Sequence, residues 1–306
     1  METSPANSTT TRTACWEHDS FRERASPIFD APKPLALWHL TSLDAPTVAV
    51  VWTLAFAWTA HIALPAWGPI LLALVAWPVY IADRLFDARS AHTTAQLHRL
   101  RLRHHFHWRH RQVFFPIALA SACAAAIVIL SFMPIAARGR NTVLAAAALA
   151  YFSCVHFPRR FSPSLSRILA KESLVAILFT AACVLPVLTR AGAINPAQLW
   201  PLLLSAVFFT LLAWLNCHAI ERWESDGESS RSAVFTPAIL LAIAGLLLSA
   251  ILVAVRHPRT AALVAAATCS VLLLVLLDRQ RHRLTPLALR TAADLVLLTP
   301  LALLFQ

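Results

Sequence analysis

The chain has 306 residues, of which 58% are hydrophobic and only 13% are charged, whereas a soluble domain carries about a quarter charged residues. This composition excludes a disordered chain, a disulfide-rich secreted module and an ordinary soluble α/β enzyme, and it predicts a polytopic membrane protein. The net charge of +11 would suit a nucleic-acid-binding protein, but the basic residues follow a membrane topology better, so we expect membrane lipids and no nucleic acid as partners.

The first part of the chain, residues 1–43, is polar. It contains several acidic residues and no apolar core followed by a cleavage site, so the sequence predicts neither a signal peptide nor a transit peptide. We expect this segment to be a cytoplasmic tail that is partly disordered. The rest of the chain, residues 44–306, is expected to form a single transmembrane domain.

Nine apolar segments follow the tail. A bilayer core requires about 20 apolar residues of helix, or somewhat fewer where neighbouring helices bury the ends. Several prolines fall between the segments, where a helix can end without penalty, and no alternation typical of a β-barrel is present. The sequence therefore predicts an all-α polytopic membrane protein with nine transmembrane helices. The predicted spans are residues 45–64, 67–82, 113–135, 142–157, 169–188, 199–217, 233–255, 261–277 and 287–305.

The distribution of charge predicts the orientation of these spans. If the N-terminus is cytoplasmic, 21 of the 26 Lys and Arg residues lie on the cytoplasmic side, as the positive-inside rule requires. We therefore expect an integral protein of the inner (cell) membrane of a bacterium. Every carboxylate after Asp44 also falls near a cytoplasmic helix end or in a cytoplasmic loop, and this pattern predicts a cation-dependent active site on that side.

The first acidic motif, YIADRLFDARS, ends the second predicted span. Asp83 and Asp87 are four residues apart, which places them on one helix face about 6 Å apart. Carboxylates and water are the usual ligands of Mg²⁺, and substrate phosphate oxygens often complete its coordination. The alternative is a pair of solvated acids that balance Arg84 and Arg89.

The second acidic motif, LNCHAIERWESD, ends the sixth predicted span. Asn216, Glu221 and Glu224 extend from this helix end, and the two glutamates share a face. The alternative is a simple ion pair between Glu221 and its neighbour Arg222. In the last span, Arg290 and Asp294 stand four residues apart, and we expect them to form a structural ion pair.

The nine-span layout with acidic motifs after spans 2 and 6 resembles the UbiA superfamily of intramembrane prenyltransferases. That family carries an N-D-x-x-D-x-x-x-D motif after span 2, and Asp83 and Asp87 match its last two aspartates, whereas Tyr80 occupies the place of the first. In the second motif Asn216 matches the asparagine and Glu224 the last acid. The segment KESLVAILFTAACVLP also looks like the family's fifth helix.

The resemblance implies a UbiA-type helix bundle that transfers an isoprenyl group from an isoprenyl diphosphate to a lipophilic, aromatic acceptor with Mg²⁺. It implies that Asp83, Asp87 and Glu224 bind the metal and act in catalysis together with Glu221. It also implies that the diphosphate is bound by Arg84, Lys171, Asn216 and Tyr80.

The loop after span 2 supports a different function. The run LHRLRLRHHFHWRHR contains His98, His104, His105, His107 and His110, and clustered histidines occur in membrane metal-dependent oxidoreductases. The simpler interpretation is an amphipathic basic helix at the membrane surface. A further alternative is a non-catalytic or transport protein with the same fold, because the acidic motifs depart from the family pattern.

Overall fold

The computed structural model describes residues 30–93, 102–156, 171–190, 196–225 and 231–305. Within these ranges the chain is helical and contains no β-sheet. The last helix continues directly into a 3₁₀ helix, Val296–Leu303. The α-helices, in chain order, are α1 (Lys33–Leu40), α2 (Asp44–Thr59), α3 (Trp67–Thr93), α4 (Leu102–Arg109), α5 (Arg111–Phe132), α6 (Ile135–His156), α7 (Lys171–Arg190), α8 (Pro196–Ser225), α9 (Arg231–Ala254), α10 (Pro258–Gln280) and α11 (Pro286–Leu295).

Prolines and a left-handed residue determine where several helices begin. Pro258 and Pro286 each occupy the first turn, where the missing N–H has no intrahelical partner to lose. Thr285 caps α11 because its Oγ1 accepts a hydrogen bond from the Ala288 N–H at 3.1 Å. Ser42 has a φ of 56° between α1 and α2, and these two helices are bent by 88°. α1 therefore lies nearly perpendicular to α2 and does not extend it.

The long helices pack into a bundle with two distinct ends. We call one of them the polar end, where α3, α8 and α10 finish and α2, α7 and α11 begin. At the opposite end, Arg190 lies over the Trp67 ring at 5.7 Å, and Arg259 lies over the Trp58 ring at 5.1 Å. Such Arg and Trp side chains are typical of the interface between a bilayer and water.

Seven of the described helical segments are long and apolar enough to cross a membrane, or eight if α1 and α2 together form one bent span. The prediction of a polytopic all-helical protein is confirmed at this level, whereas nine spans are not confirmed. α2 has only 16 residues, and α6, which contains the predicted fourth span, begins with Arg138, Arg140 and Asn141. These polar residues lower the apolar character of α6 over the length of a span.

An aromatic cluster joins the middle of the bundle. The rings of Trp52 on α2 and Phe209 on α8 stack with their centroids 3.8 Å apart, and Phe56 lies against both. Trp52 Nε1–H donates to the Leu297 carbonyl at 2.9 Å, which satisfies the one polar atom of this fully buried side chain. In contrast, α5 and α9 expose many large apolar side chains outward, as expected for helices that face lipid.

The close packing of α9 on α10 depends on Gly245. A Cβ atom added there would lie 2.1 Å from Thr268 Oγ1 and 2.6 Å from Phe208 Cζ. Thr268 is held in place because its hydroxyl donates to the Val264 carbonyl at 2.8 Å. We expect Gly245→Ala to lower the free energy of unfolding by about 1–3 kcal/mol, measured by thermal unfolding in detergent, because the core must shift to admit the methyl group.

Gly139→Ala is the matched control for this substitution. Gly139 also lies within a helix, but an added Cβ would have no atom within 4 Å. We expect this variant to keep or slightly raise the melting temperature, because alanine favours the helix over glycine. Equal melting temperatures for the two variants would contradict the packing that the structure assigns to Gly245.

Candidate functional site

The polar end brings together most of the ionisable residues that the sequence places at helix ends. Its members come from α1, α2, α3, α4, α6, α7, α8 and α11. Because these helices start or finish at one level, side chains far apart in the sequence become neighbours there. The residues concerned are His39, Asp44, Tyr80, Asp83, Arg84, Asp87, His104, His107, Tyr151, Glu172, Asn216, Cys217, Glu221, Glu224, Arg290 and Asp294.

The first acidic motif lies in the last part of α3, which continues past the predicted span to Thr93, and basic groups lie beside its carboxylates. Arg84 Nη1–H donates to Asp83 Oδ2 at 2.8 Å, and the Arg84 side chain is buried. His104 Nε2 lies 3.6 Å from Asp87 Oδ2. Both carboxylates remain partly exposed. They are therefore within reach of a ligand that enters the polar end.

The second acidic motif lies at the end of α8. Asn216 is buried, Glu221 is exposed, and Glu224 forms an ion pair with Arg290 on α11. The sequence analysis paired Arg290 with Asp294 on the same helix. The structure gives each of these residues a partner on another helix, because Asp294 contacts His39.

Two tyrosines connect the regions of the two acidic motifs electrostatically. Tyr151, on α6, interacts electrostatically with Asp83 and Asp87 of α3 and with Cys217 of α8. Tyr80, on α3, interacts with Cys217 as well. These charged and polar side chains of α3, α6 and α8 therefore influence one another electrostatically, and we call the region that holds them the polar chamber.

Three buried polar atoms of the polar chamber have no hydrogen-bond partner among the described residues. They are Arg84 Nε, Tyr151 OH and Asn216 Oδ1, which come from α3, α6 and α8. A buried polar atom without a partner costs free energy, so such atoms need a ligand or water to complete them. Arg84 and Asn216 were predicted from the motifs, whereas Tyr151 belongs to no motif and was missed.

A second cluster of His39, Asp44 and Asp294 was also missed. Within the described ranges, it is the one group of three His, Cys, Asp or Glu side chains whose possible ligand atoms lie within 4.8 Å of one another. The five-residue spacing of His39 and Asp44 on either side of a turn was the available signal. Because His39 lies in the predicted tail and Asp44 lies at its edge, neither was included in the predicted site.

The remaining predicted residues are less fully described. His98 and the side chain of Lys171 lie outside the described residues. On α4, His104 and His107 are buried and His105 is exposed, and His110, which follows α4, is also exposed. They do not supply a group of three ligand atoms in the part of the chain that the structure describes.

His107 instead has a structural position beneath α1. Its Nδ1–H donates to the Arg103 carbonyl at 2.8 Å, and Nε2 lies 3.5 Å from Ser42 Oγ. Burial lowers the pKa of His107 to about 4, although the bond to Arg103 opposes the shift, and the positive charges of Arg84 and Arg103 add to it. The side chain is therefore neutral at pH 7.

This position predicts that acid weakens the docking of α4. The unfolded chain binds a proton at His107 below pH 6.5, whereas the folded protein does so only near pH 4, so stability falls as the pH drops through that window. At pH 5 the loss is about 2 kcal/mol. We expect thermal unfolding to show this loss in the wild type and a smaller one in His107→Gln. Parallel pH profiles for the two proteins would contradict the assignment, and the exposed His110→Gln serves as the control.

Comparison of the chain with protein-family models, curated proteins and solved structures finds no match.

Proposed function

We propose that this protein binds an isoprenyl diphosphate in the polar chamber and transfers its isoprenyl group to a lipophilic, aromatic acceptor, with Mg²⁺. The observation that supports this proposal is the set of three buried atoms without partners, Arg84 Nε, Tyr151 OH and Asn216 Oδ1. Guanidinium and hydroxyl groups donate hydrogen bonds to phosphate oxygens, and an amide oxygen suits Mg²⁺ or its bound water.

The carboxylates of the polar chamber fit an ion that enters with the diphosphate. Asp83 and Asp87 lie one turn apart on α3 and are both partly exposed, and Mg²⁺ commonly uses one or two carboxylates together with substrate phosphates. Asp83, Asp87 and Glu224 do not form a group of three ligand atoms within 4.8 Å among the described residues. We therefore assign the ion to Asp83 and Asp87 first, with Glu224 joining if it leaves Arg290.

The chemistry requires charge stabilisation in a dry environment. Bound Mg²⁺ would neutralise the diphosphate as the allylic C–O bond breaks. The Arg84 guanidinium and the Tyr151 hydroxyl would hold the leaving oxygens in place, and their burial strengthens these interactions. The apolar helices around the chamber would keep water from the allylic cation, so that the lipophilic acceptor attacks it instead.

The membrane side of the reaction is part of the same proposal. The polar end contains α4 and the ends of α3, α8 and α10, and these segments carry Arg84, Arg89, Arg103, Arg109, Arg222 and Arg279. The positive-inside rule therefore supports a cytoplasmic polar end and a cytoplasmic N-terminus in a bacterial inner membrane.

The direct test is an activity measurement on the purified protein. The protein would be incubated with Mg²⁺, labelled isoprenyl diphosphates of several lengths and a membrane lipid extract, and then assayed for diphosphate release and a new labelled lipid. We expect both products to depend on Mg²⁺. If diphosphate release is absent and isoprenyl diphosphates also fail to bind, the proposal is wrong. Binding without any turnover would instead support the non-catalytic alternative.

Tyr151→Phe tests the ligand contact separately from the fold. If the hydroxyl donates to the diphosphate, its removal should weaken the binding of an unreactive isoprenyl thiodiphosphate by about 10-fold, as expected for one hydrogen bond to a charged group. The melting temperature should stay the same or rise, because the hydroxyl has no partner in the described protein.

Ser249→Ala is the matched control, because Ser249 Oγ is also buried without a partner but lies on α9 away from the polar end. We expect this variant to bind the thiodiphosphate like the wild type. Unchanged binding by Tyr151→Phe would remove Tyr151 from the proposed site.

A further inference from the structure

His39, Asp44 and Asp294 form a compact cluster at the polar end, with His39 and Asp44 buried and Asp294 partly exposed. His39 Nδ1 lies 2.8 Å from Asp44 Oδ2 and 3.0 Å from Asp294 Oδ2. The side chains of His39, Asp44 and Asp294 are 2%, 7% and 18% exposed. They come from α1, α2 and α11, and His39 and Asp294 are 255 residues apart in the sequence. The folding of the whole bundle is therefore needed to bring these three groups together.

The charges of the cluster require a balancing cation or proton. Two carboxylates that face one nitrogen away from water repel each other and lose hydration. A protonated His39 balances only one of them. Arg84 interacts electrostatically with Asp44, but its guanidinium already contacts Asp83 at 2.8 Å. The second carboxylate must therefore hold a proton or share an ion of higher charge.

The two separations from His39 Nδ1 to the carboxylate oxygens suit a metal ion, and the two oxygens lie within 4.8 Å of each other. Two ligands bound at about 2.1 Å lie about 3.0 Å apart at a right angle and about 3.4 Å apart at a tetrahedral angle. The observed distances of 2.8 Å and 3.0 Å are close to the first value. His39 Nε2 has no hydrogen-bond partner among the described residues. This holds whether Nδ1 carries a proton or a metal ion, so Nε2 does not tell which of the two is bound.

We propose that His39, Asp44 and Asp294 bind one divalent transition-metal ion of the zinc and manganese class. An imidazole nitrogen with two carboxylate oxygens is a ligand set of such ions, whereas Mg²⁺ and Ca²⁺ prefer oxygen ligands alone. The ion would tie α1 to α2 and α11. This site is separate from the Asp83 and Asp87 carboxylates proposed for Mg²⁺, so each proposal can fail without the other.

The test is a metal titration of the full chain in detergent after removal of metals with a chelator. Co²⁺ is the probe, because its visible absorption reports an imidazole and carboxylate environment, and Zn²⁺ is the competitor. We expect one saturable Co²⁺ site that Zn²⁺ displaces, with release of protons on binding. Asp294→Asn and Asp44→Asn should each weaken Co²⁺ binding by about 100-fold or more, because each removes a direct ligand.

Asp278→Asn is the matched control. Asp278 is another buried carboxylate, near the end of α10, but it accepts a hydrogen bond from Trp223 Nε1–H at 2.8 Å and lies outside the cluster. This variant should bind Co²⁺ like the wild type. Absence of a saturable site in the wild type would overturn the proposal and indicate a shared proton. Binding that survives in Asp294→Asn would overturn the assignment of the ligands, and displacement of Co²⁺ by equimolar Mg²⁺ would overturn the class of metal. The wild-type titration decides the matter alone if the variants do not fold.

Discussion

Replacement of Asp87 by asparagine is expected to lower the rate of Mg²⁺-dependent isoprenyl transfer by about 100-fold or more while the protein stays folded. The substitution keeps the size of the side chain but removes a negative charge that the proposed metal needs as the diphosphate leaves. The side chain of Asp87 is 38% exposed, so the loss of its charge should change the melting temperature little. The measurements are the initial rate of diphosphate release and thermal unfolding in detergent.

Asp83→Asn should lower the rate to a similar extent but should also destabilise the protein, because the buried Arg84 loses the carboxylate that it contacts at 2.8 Å. Asp30→Asn is the control, since Asp30 is exposed and contacts Thr285 outside the polar chamber. It should be as active as the wild type. A rate within a few-fold of the wild type for Asp87→Asn would show that the acidic pair on α3 is a solvated surface feature.

Glu224→Gln is expected to lower the free energy of unfolding by about 3 kcal/mol. Glu224 forms an ion pair with Arg290, whose side chain is only 9% exposed. The substitution removes the negative charge that balances this buried guanidinium group. Glu221→Gln makes the same chemical change one turn earlier on α8, and we expect a smaller loss there because the ion pair of Glu224 with Arg290 is kept. Both would be measured by thermal unfolding in detergent.

The double variant Glu224→Gln with Arg290→Leu separates the two roles considered for Glu224. Removal of both charges should restore much of the lost stability, because no buried charge then lacks its partner. If Glu224 acts through Arg290 alone, activity should return together with stability. If Glu224 binds Mg²⁺, activity should stay low in the stable double variant. Failure of the double variant to regain stability would show that the ion pair is not what Glu224 contributes.

Composition and local spacing were sufficient to predict the class of protein and part of the candidate site. Apolar runs report membrane-spanning helices because a helix in lipid must satisfy its backbone internally and present apolar side chains outward. Asp83 and Asn216 lie where the apolar runs stop, although α3 and α8 continue beyond them to Thr93 and Ser225. The apolar runs alone did not give the number of spans, because α2 is short and bent against α1, and because α6 begins with polar residues.

Only the tertiary structure decided which side chains share a site. Arg290 and Asp294 have the spacing of an ion pair on one helix, but packing of α11 against α8 and α1 gives them Glu224 and His39 as partners. Tyr151 lies in no motif, and it reaches the polar chamber only because α6 packs beside α3 and α7. Local sequence determines helix ends through interactions over a few residues, whereas these contacts join segments up to 255 residues apart and exist only once the helices have packed.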